Sequence, residues 1–582
     1  MGFRRLIVAL SSLATAAALT FLMYRALAPG GWTVTKATMM VSFGVASLWV
    51  GLCLTNGVAG FLILTRRRVV TRTATGARNA HPLPGSEGET LVPHSMLHPT
   101  PSCRIAIGLT VRNEDMGAVL PPARRLLGEL DAMGAGHAFA LFILSDSTDA
   151  AAAAEERAVA AFRAADRDPA RVRYRRRTDN AGFKAGNIMD FLDRHAAGFE
   201  LMLVLDADSE MSGRAVLRLV HEMEMTPRLG IVQHLTVGLP AASAFPRLFQ
   251  FGMRAGMRTW ATAQAWWQGD ESCYWGHNAV LRIAPFRAHC RLPLLPDGRT
   301  ILSHDQIEAA MLAGAGWGIR LLPTEDGSFE ANPPAMPEFM RRELRWLAGN
   351  LEYRHLLGMP GLRPMGRWQL IQAILLFGCT PFYLTFLIAA AAAAATDHTS
   401  PFPADAVLTV MLAWASAIYA PKLLGYLEVL LSSEQRARYG GASQLLVGMA
   451  AETVFTLLLD AISLVSKTTT TVRLLLGMRP AWTPQNRTDR GVSWMEAARL
   501  LWVHTALGVL IFAAFAQAGW VAVLWAAPLA GGLLVAIPFC TVTAAPRFGA
   551  WLRQCAVAAV PEELSPPRHA LVDGGEYLRQ TP

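Results

Sequence analysis

Residues 201–208 read Leu-Met-Leu-Val-Leu-Asp-Ala-Asp, an apolar run that ends in two carboxylates two positions apart. Large aliphatic side chains in unbroken succession, too few for a helix and without a polar face, fit a strand buried on both sides. Similar runs at Ile105 to Val111, Phe139 to Leu144 and Ile319 to Leu322 alternate with helix-like stretches between Pro101 and about Gly358. This alternation predicts an α/β domain, residues 101–358, built on a mainly parallel sheet flanked by helices. Ligands of such sheets bind beyond the carboxyl ends of the strands, so the polar residues that follow the runs are the first candidates for chemistry. These are Asn113 with Glu114, Asp146, and Asp206 with Asp208.

Outside this domain the chain is lipophilic. Of its 582 residues 52% are hydrophobic and only 17% are charged, a balance that a purely soluble enzyme does not need. Leu6 to Tyr24 and Ala37 to Leu64 are uncharged and long enough to cross a bilayer, so residues 1–68 are expected to hold two spans. Arg4 and Arg5 precede the first span and Arg66, Arg67 and Arg68 follow the second, which places the α/β domain in the cytoplasm by the positive-inside rule. Residues 69–100, rich in Gly, Pro, Thr and His, read as a linker. Further uncharged runs at Trp368 to Thr396, Ala406 to Pro421 and Leu500 to Pro546 supply four more spans within 359–546, giving an all-α bundle of about six with a cytoplasmic tail at 547–582. Gln444 to Leu476 is apolar but carries Glu452, Asp460 and Lys467 on one stripe, which predicts an interfacial helix; the alternative is a span with a polar face turned inward. The lipid bilayer is thus the first partner. The net charge of +9 is accounted for by arginines flanking apolar runs, and no basic face for nucleic acid is expected. Seven cysteines without paired spacing predict free thiols and no structural metal.

Two carboxylates at a strand end suit a divalent ion, Mg²⁺ or Mn²⁺, held against a diphosphate, although an isolated pair also serves as a turn former. Before them, Asp179-Asn-Ala-Gly-Phe-Lys184-Ala-Gly-Asn187 offers a lysine among glycines that permit close approach to a phosphate, or simply a helix cap. Asp146 could accept from the N–H of a nucleobase or only shape a turn. In Ser303-His304-Asp305 the last acid could remove a proton from an acceptor hydroxyl as general base, or cap a helix. Arg342 and Arg345 share a helix face on which they could neutralise a leaving diphosphate, with Trp346 offering a flat surface to a sugar; a basic helix on the membrane surface has the same pattern. Trp275, His277 and Asn278 could line an acceptor groove or pack internally.

Taken in order, Asp146, Lys184-Ala-Gly-Asn187, Asp206-x-Asp208, Ser303-His-Asp305 and Arg345-Trp346 resemble the processive family 2 glycosyltransferases, which include the cellulose synthases. Gln268 to Ala279, Ser303 to Asp305 and Arg345-Trp346 with Gly349-Asn350-Leu351 look most like the branch that makes the β-1,2-linked backbone of osmoregulated periplasmic glucans. The resemblance implies a GT-A fold, UDP-glucose as donor, a divalent metal on Asp206 and Asp208, and transfer with inversion. It also implies Asp146 at the uracil, Asp305 as base, Arg345 and Trp346 at diphosphate and acceptor, and a growing glucan chain as second substrate. A periplasmic glucan-processing protein is a further expected partner, and Thr468 to Thr471 with Trp482 to Asn486 stand where related synthases carry a gating loop. Arg342 replaces the Gln of the usual QxxRW, and Ser303-His304-Asp305 replaces TED; both departures argue against cellulose.

Overall fold

A computed structural model describes residues 1–76, 100–325, 327–396, 403–478 and 490–565. Most of the expected linker, the segment Trp482 to Asn486 and the end of the tail lie outside the described residues. Residues 69–76, expected to open the linker, instead continue the second helix, Val34–Gly76. No proline interrupts them, and the first glycine stands at the helix end.

The four apolar runs form strands, joined by others that the sequence hides. In chain order these are β1 (Ile105–Val111), β2 (Phe139–Ser145), β3 (Val172–Arg176), β4 (Leu201–Asp206), β5 (Ser209–Met211), β6 (Leu229–His234), β7 (Val237–Gly238), β8 (Ala279–Arg282), β9 (Gly318–Leu322) and β10 (Ser328–Glu330). A seven-stranded sheet runs β3-β2-β1-β4-β8-β6-β9, and β5-β10-β7 form a small second sheet. Within the large sheet β8 is antiparallel to both neighbours and the other pairs are parallel. Alternation along the strands divides the core. Leu201, Leu203 and Leu205 face one helical layer, while Met202 and Val204 face the other. The helix Gly213–Met225 shows how that layer is specified: Ser212 caps its first turn by accepting from the Ala215 N–H, and Val216, Leu219, Val220 and Met223 repeat at helical spacing toward the sheet.

Register then positions the chemistry. Thr110 lies opposite Asp206 and Val111 opposite Ser145, so β1, β2 and β4 release Asn113, Asp146 and Asp206 at one edge. Because β8 runs the other way, the residues that precede it arrive at that same edge, where the Asn278 N–H donates to the Val204 carbonyl.

Among the described residues five helices are long and apolar enough to cross a membrane: Gly2–Leu27, Val34–Arg67, Pro364–Thr396, Ala442–Leu475 and Trp494–Gln517. Two bent pairs, Ala404–Ile418 with Ala420–Leu430 and Trp520–Leu534 with Ala536–Thr543, pass the same test together. Ala442–Leu475 differs from the rest in its contacts. Gly448 and Glu452 lie against Phe251 and Gly252 of the helix Ala244–Gln268. At its other end Lys467 pairs with Glu343 at 2.9 Å and Leu474 packs on Leu347 and Leu351. Its opposite face meets bundle residues Leu384, Ile511 and Leu533 through Ala461 and Val465. The helix therefore lies between domain and bundle. Its charged stripe is divided: Asp460 is exposed and Lys467 half-buried, whereas Glu452 is buried and accepts from Lys422 and Tyr426 at 2.6 and 2.7 Å. Burying a carboxylate is tolerable only with such partners.

The second helix meets the helix Ala244–Gln268 closely at a glycine. A Cβ on Gly60 would sit 2.0 Å from the Thr259 carbonyl oxygen. Gly60→Val should cost about 1–3 kcal/mol by overpacking, read as a lower melting temperature of detergent-solubilised protein. Gly128→Ala, in the helix Met116–Ala132 where an added Cβ meets nothing, should instead raise stability by about 0.5–1 kcal/mol.

Candidate active site

The loops after β1 and β2 are tied together by a buried carboxylate. Glu155 accepts from the hydroxyls of Ser145 (2.7 Å), Tyr174 (3.1 Å) and Ser147. Ser147 in turn accepts from the Asn113 N–H at 2.6 Å, and the Asn113 side-chain oxygen accepts from Thr148 N–H at 2.9 Å. Asn113 has φ +57, which asparagine tolerates better than most residues. Glu114 follows it, half-buried. Between these loops Asp146 is buried, its two oxygens accepting from Arg177 at 2.6 and 2.8 Å. Asp146 thus stands at the expected edge with a guanidinium partner that the sequence did not announce.

The centre of the site is a chain of contacts. Lys184, in the first turn of the helix Phe183–Arg194, makes an ion pair with Asp206 and donates to the Gly276 carbonyl at 2.7 Å. Thr110 donates to the same Asp206 carboxylate at 3.2 Å. Gly276 has φ +87, and a Cβ there would lie 3.4 Å from the Asp305 Cβ. Asp206 and Asp305, nearly a hundred positions apart in the sequence, are therefore separated by one lysine and one glycine. Asp305 is the first residue of the helix Asp305–Gly314, and its carboxylate accepts from Ser303 (3.0 Å) and Tyr353 (3.3 Å). His304 holds its Nδ1 at 2.8 Å from Glu308 while its Cε1 edge lies near Gly276. Burial alone would depress the His304 imidazole, but the charge and hydrogen bond of Glu308 outweigh it and hold the ring above the usual histidine range. Burial likewise raises the Glu308 carboxyl, against the pull of His304.

Asp208 follows, half-buried, with its carbonyl accepting from the Ala331 N–H at 3.3 Å. Beside it Glu330 faces His277 at 3.4 Å. Burial pushes the Glu330 carboxyl up, and the charges of Asp208 and Asp206 add to this against His277 and Arg342. Among the described residues no three His, Cys, Asp or Glu side chains are grouped to hold a metal ion. The donor set still fits one. Two hard carboxylates with surplus negative charge around them suit a divalent ion that takes its remaining ligands from phosphate and water.

The helix Met336–Glu352 carries the basic group. Its Arg345 is half-buried and Trp346 is 43% exposed. Arg342 departs from the expectation of a second diphosphate contact: it is buried, with its guanidinium over the rings of Trp346 (4.6 Å), Phe249 (5.6 Å) and Phe339 (5.9 Å). Stacking on three rings makes it the floor beneath Trp346. Among the Trp275, His277 and Asn278 set, Asn278 is a correction. It is fully buried at φ +49, and its amide donates to the Ser328 hydroxyl and the Phe329 carbonyl at 3.0 and 3.1 Å, so it ties β10 to the large sheet and does not face an acceptor. Trp275 is half-buried against Leu235 and Leu321. Sequence reasoning missed Glu155, Arg177, Glu308 and Glu330. Glu155 and Arg177 only acquire meaning through partners on other elements. Glu308 pairs with His304 one helical turn before it, a spacing that sequence could have offered, and Glu330 sits on a three-residue strand with no periodicity to reveal it.

Residues 201–421 match the family profile described as glycosyl transferase family group 2. Over 597 aligned positions the chain is 33% identical to the glucans biosynthesis glucosyltransferase H of Rhodopseudomonas palustris, covering 98% of this chain and 80% of that protein. It is 30% identical over 599 positions to the protein of the same name from Xanthomonas campestris pv. campestris, covering 100% of this chain and 90% of the other. Among solved structures, a mannosyltransferase from Pyrobaculum calidifontis in complex with GDP-Man and Mn²⁺ superposes with TM-score 0.40 and 16% identity, over 66% of this chain and 98% of that one.

Two outcomes follow from the geometry around Asp305. Tyr353→Phe, which removes one donor to the carboxylate but keeps the buried ring, should lower turnover about 10-fold, the effect of one lost hydrogen bond to a charged group, with nucleotide affinity unchanged in equilibrium binding. The His304–Glu308 contact gives a pH signature. His304 titrates higher in the folded state than free, so its stabilisation is complete below the ordinary imidazole range and is lost as pH rises through the raised value. The raised Glu308 carboxyl has its loss lower, from the ordinary carboxylate range upward. The wild-type melting temperature should fall between pH 6 and pH 9 by more than that of His304→Gln protein, which cannot carry the charge.

Proposed function

The chain belongs to the glucans biosynthesis glucosyltransferase H family within group 2 of the glycosyltransferases, and from that membership we propose that it is an inverting, processive enzyme that polymerises glucose from UDP-glucose into a β-1,2-linked glucan and passes the chain across the membrane. The observation that carries the reading is the contact sequence Asp206, Lys184, Gly276, Asp305, which joins a diphosphate-binding carboxylate to a candidate base across one short gap.

In this mechanism Asn113, Glu114 and Asp146 hold the uridine end of the donor, with Arg177 fixing the Asp146 carboxylate. Asp206 and Asp208 would hold Mg²⁺ or Mn²⁺, which when bound offsets the charge of the diphosphate. Lys184 and Arg345 add positive charge from the protein, so the departing UDP is met by fixed groups that need no rearrangement. Asp305, oriented by Ser303 and Tyr353, takes the proton of the acceptor hydroxyl as that oxygen attacks C1 of glucose from the face opposite UDP. Trp346 and Trp275 give the glucan chain flat surfaces, with His277 beside them as a further acceptor contact.

The contacts of the helices support a cytoplasmic domain with six crossings. Arg4 and Arg5 donate to carbonyls of Trp266 and Gln268, so the first helix starts at the domain. Glu562 and Glu563 return to it, pairing with Arg254 and Arg247. An even number of crossings must lie between those contacts, and Ala442–Leu475, held to the domain at both ends, is the helix that does not cross.

The test is incubation of purified protein in nanodiscs with labelled UDP-glucose and Mg²⁺, followed by linkage analysis. A β-1,2-linked product supports the reading; a different linkage, or product only from another nucleotide sugar, overturns it. Asp305→Asn should bind UDP normally and lose turnover by about 10²–10⁴-fold.

A further inference from the structure

Glu330 is the acid of the cleft to which the mechanism above gives no role. Its backbone is fixed beside the carboxylate pair, since β10 is antiparallel to β5 with Glu330 opposite Ser209, and the next residue donates to the Asp208 carbonyl at 3.3 Å. Its side chain is 23% exposed, open to the cleft while largely withdrawn from water. What holds it is meagre: His277 Nε2 at 3.4 Å, a long contact for a carboxylate with room for several donors. His277 is itself incompletely satisfied, with Nδ1 buried and lacking a hydrogen-bond partner. A half-buried acid normally gathers donors, as Glu155 does from three hydroxyls elsewhere in the domain. Glu330 instead keeps acceptor capacity facing the space next to Asp206 and Asp208.

The place of His277 narrows the choice of ligand. Gly276 abuts Asp305 and receives Lys184, which pairs with Asp206, while the next residue reaches Glu330. One dipeptide therefore runs beneath the whole gap between the diphosphate acids and the base. A diphosphate would be repelled by Glu330 and is drawn to Lys184 and Arg345. Neutral vicinal hydroxyls, each able to donate, match a carboxylate that keeps acceptor capacity and carry no charge for it to repel. In a nucleotide sugar the group attached to the diphosphate, and the one that must lie before the base, is the hexose.

We infer that Glu330, steadied by His277, accepts hydrogen bonds from hydroxyls of the donor hexose and so selects the sugar that is transferred. The inference rests on the proposed nucleotide-sugar chemistry, and its test separates the two. Wild-type, Glu330→Gln and Glu330→Asp proteins in nanodiscs would be compared for affinity toward UDP alone, the Mg²⁺ concentration giving half-maximal rate, and kcat and KM with UDP-glucose and UDP-galactose. UDP binding also reports that each variant is folded. The expected result is unchanged UDP affinity and Mg²⁺ requirement, kcat/KM for UDP-glucose lower by about 10- to 100-fold in Glu330→Gln, partial recovery in Glu330→Asp, and weaker preference for UDP-glucose over UDP-galactose. A parallel loss of UDP affinity or a raised Mg²⁺ requirement would assign Glu330 to the diphosphate and overturn the inference, as would unaltered kcat/KM. If wild-type protein releases no UDP from UDP-glucose, the donor reading itself fails, whatever the variants do.

Discussion

Everything in the cleft depends on where the Lys184 ammonium sits. It pairs with Asp206 at the end of β4 and donates to the carbonyl of Gly276, which lies against Asp305. These groups come from three separate stretches of chain, and each would repel or ignore the others without the cation between them. Two acids approaching across a gap partly withdrawn from water are unfavourable, and a single lysine with three donors relieves that cost while leaving a free edge toward the ligand. Gly276 makes the approach possible: at φ +87 any side chain would be strained.

A second constraint acts at the boundary with the bundle. Ala442–Leu475 presents one face to domain helices and the other to bundle helices, and its Glu452 is buried between Lys422 and Tyr426. Lys422 stands just after the bend between Ala404–Ile418 and Ala420–Leu430, which meet at 70°. The bend is thus held by a charge pair from the neighbouring helix. The same layer supports the helix Met336–Glu352 through Lys467 and Glu343, so the floor under Trp346 and the wall of the bundle share one beam.

The sequence disclosed what local chemistry alone determines. Long aliphatic runs gave β1, β2, β4 and β9, and the rule that ligands gather at strand ends put Asn113, Asp146 and Asp206 on one edge. The strand Val172-Arg-Tyr-Arg-Arg176 was hidden because an edge strand buries little and reads as polar. Helical spacing put Arg342 beside Arg345, but nothing in it foretold that Phe249, from another helix, would enclose the guanidinium. Asn278 looked like a polar lining residue and turned inward, since a positive-φ turn into β8 aims its amide at β10. Polar residues that act through distant partners carry no periodic signal, and for that reason Arg177 and Glu330 came only from the fold.

The clamp that closes the domain is made of residues far apart in the chain. Arg247, fully buried, pairs with Glu563, 316 positions later. A ribosome adding about 5–20 residues per second needs on the order of 15–60 s to cover that interval. Throughout it the Arg247 guanidinium is without its counter-charge and cannot settle into a dry contact. The helix Ala244–Gln268 must keep that flank hydrated until the segment that carries Glu563 has been made. The seating of this helix is therefore timed by completion of the chain, and the nascent domain cannot finish packing ahead of the C-terminal helices that close on it.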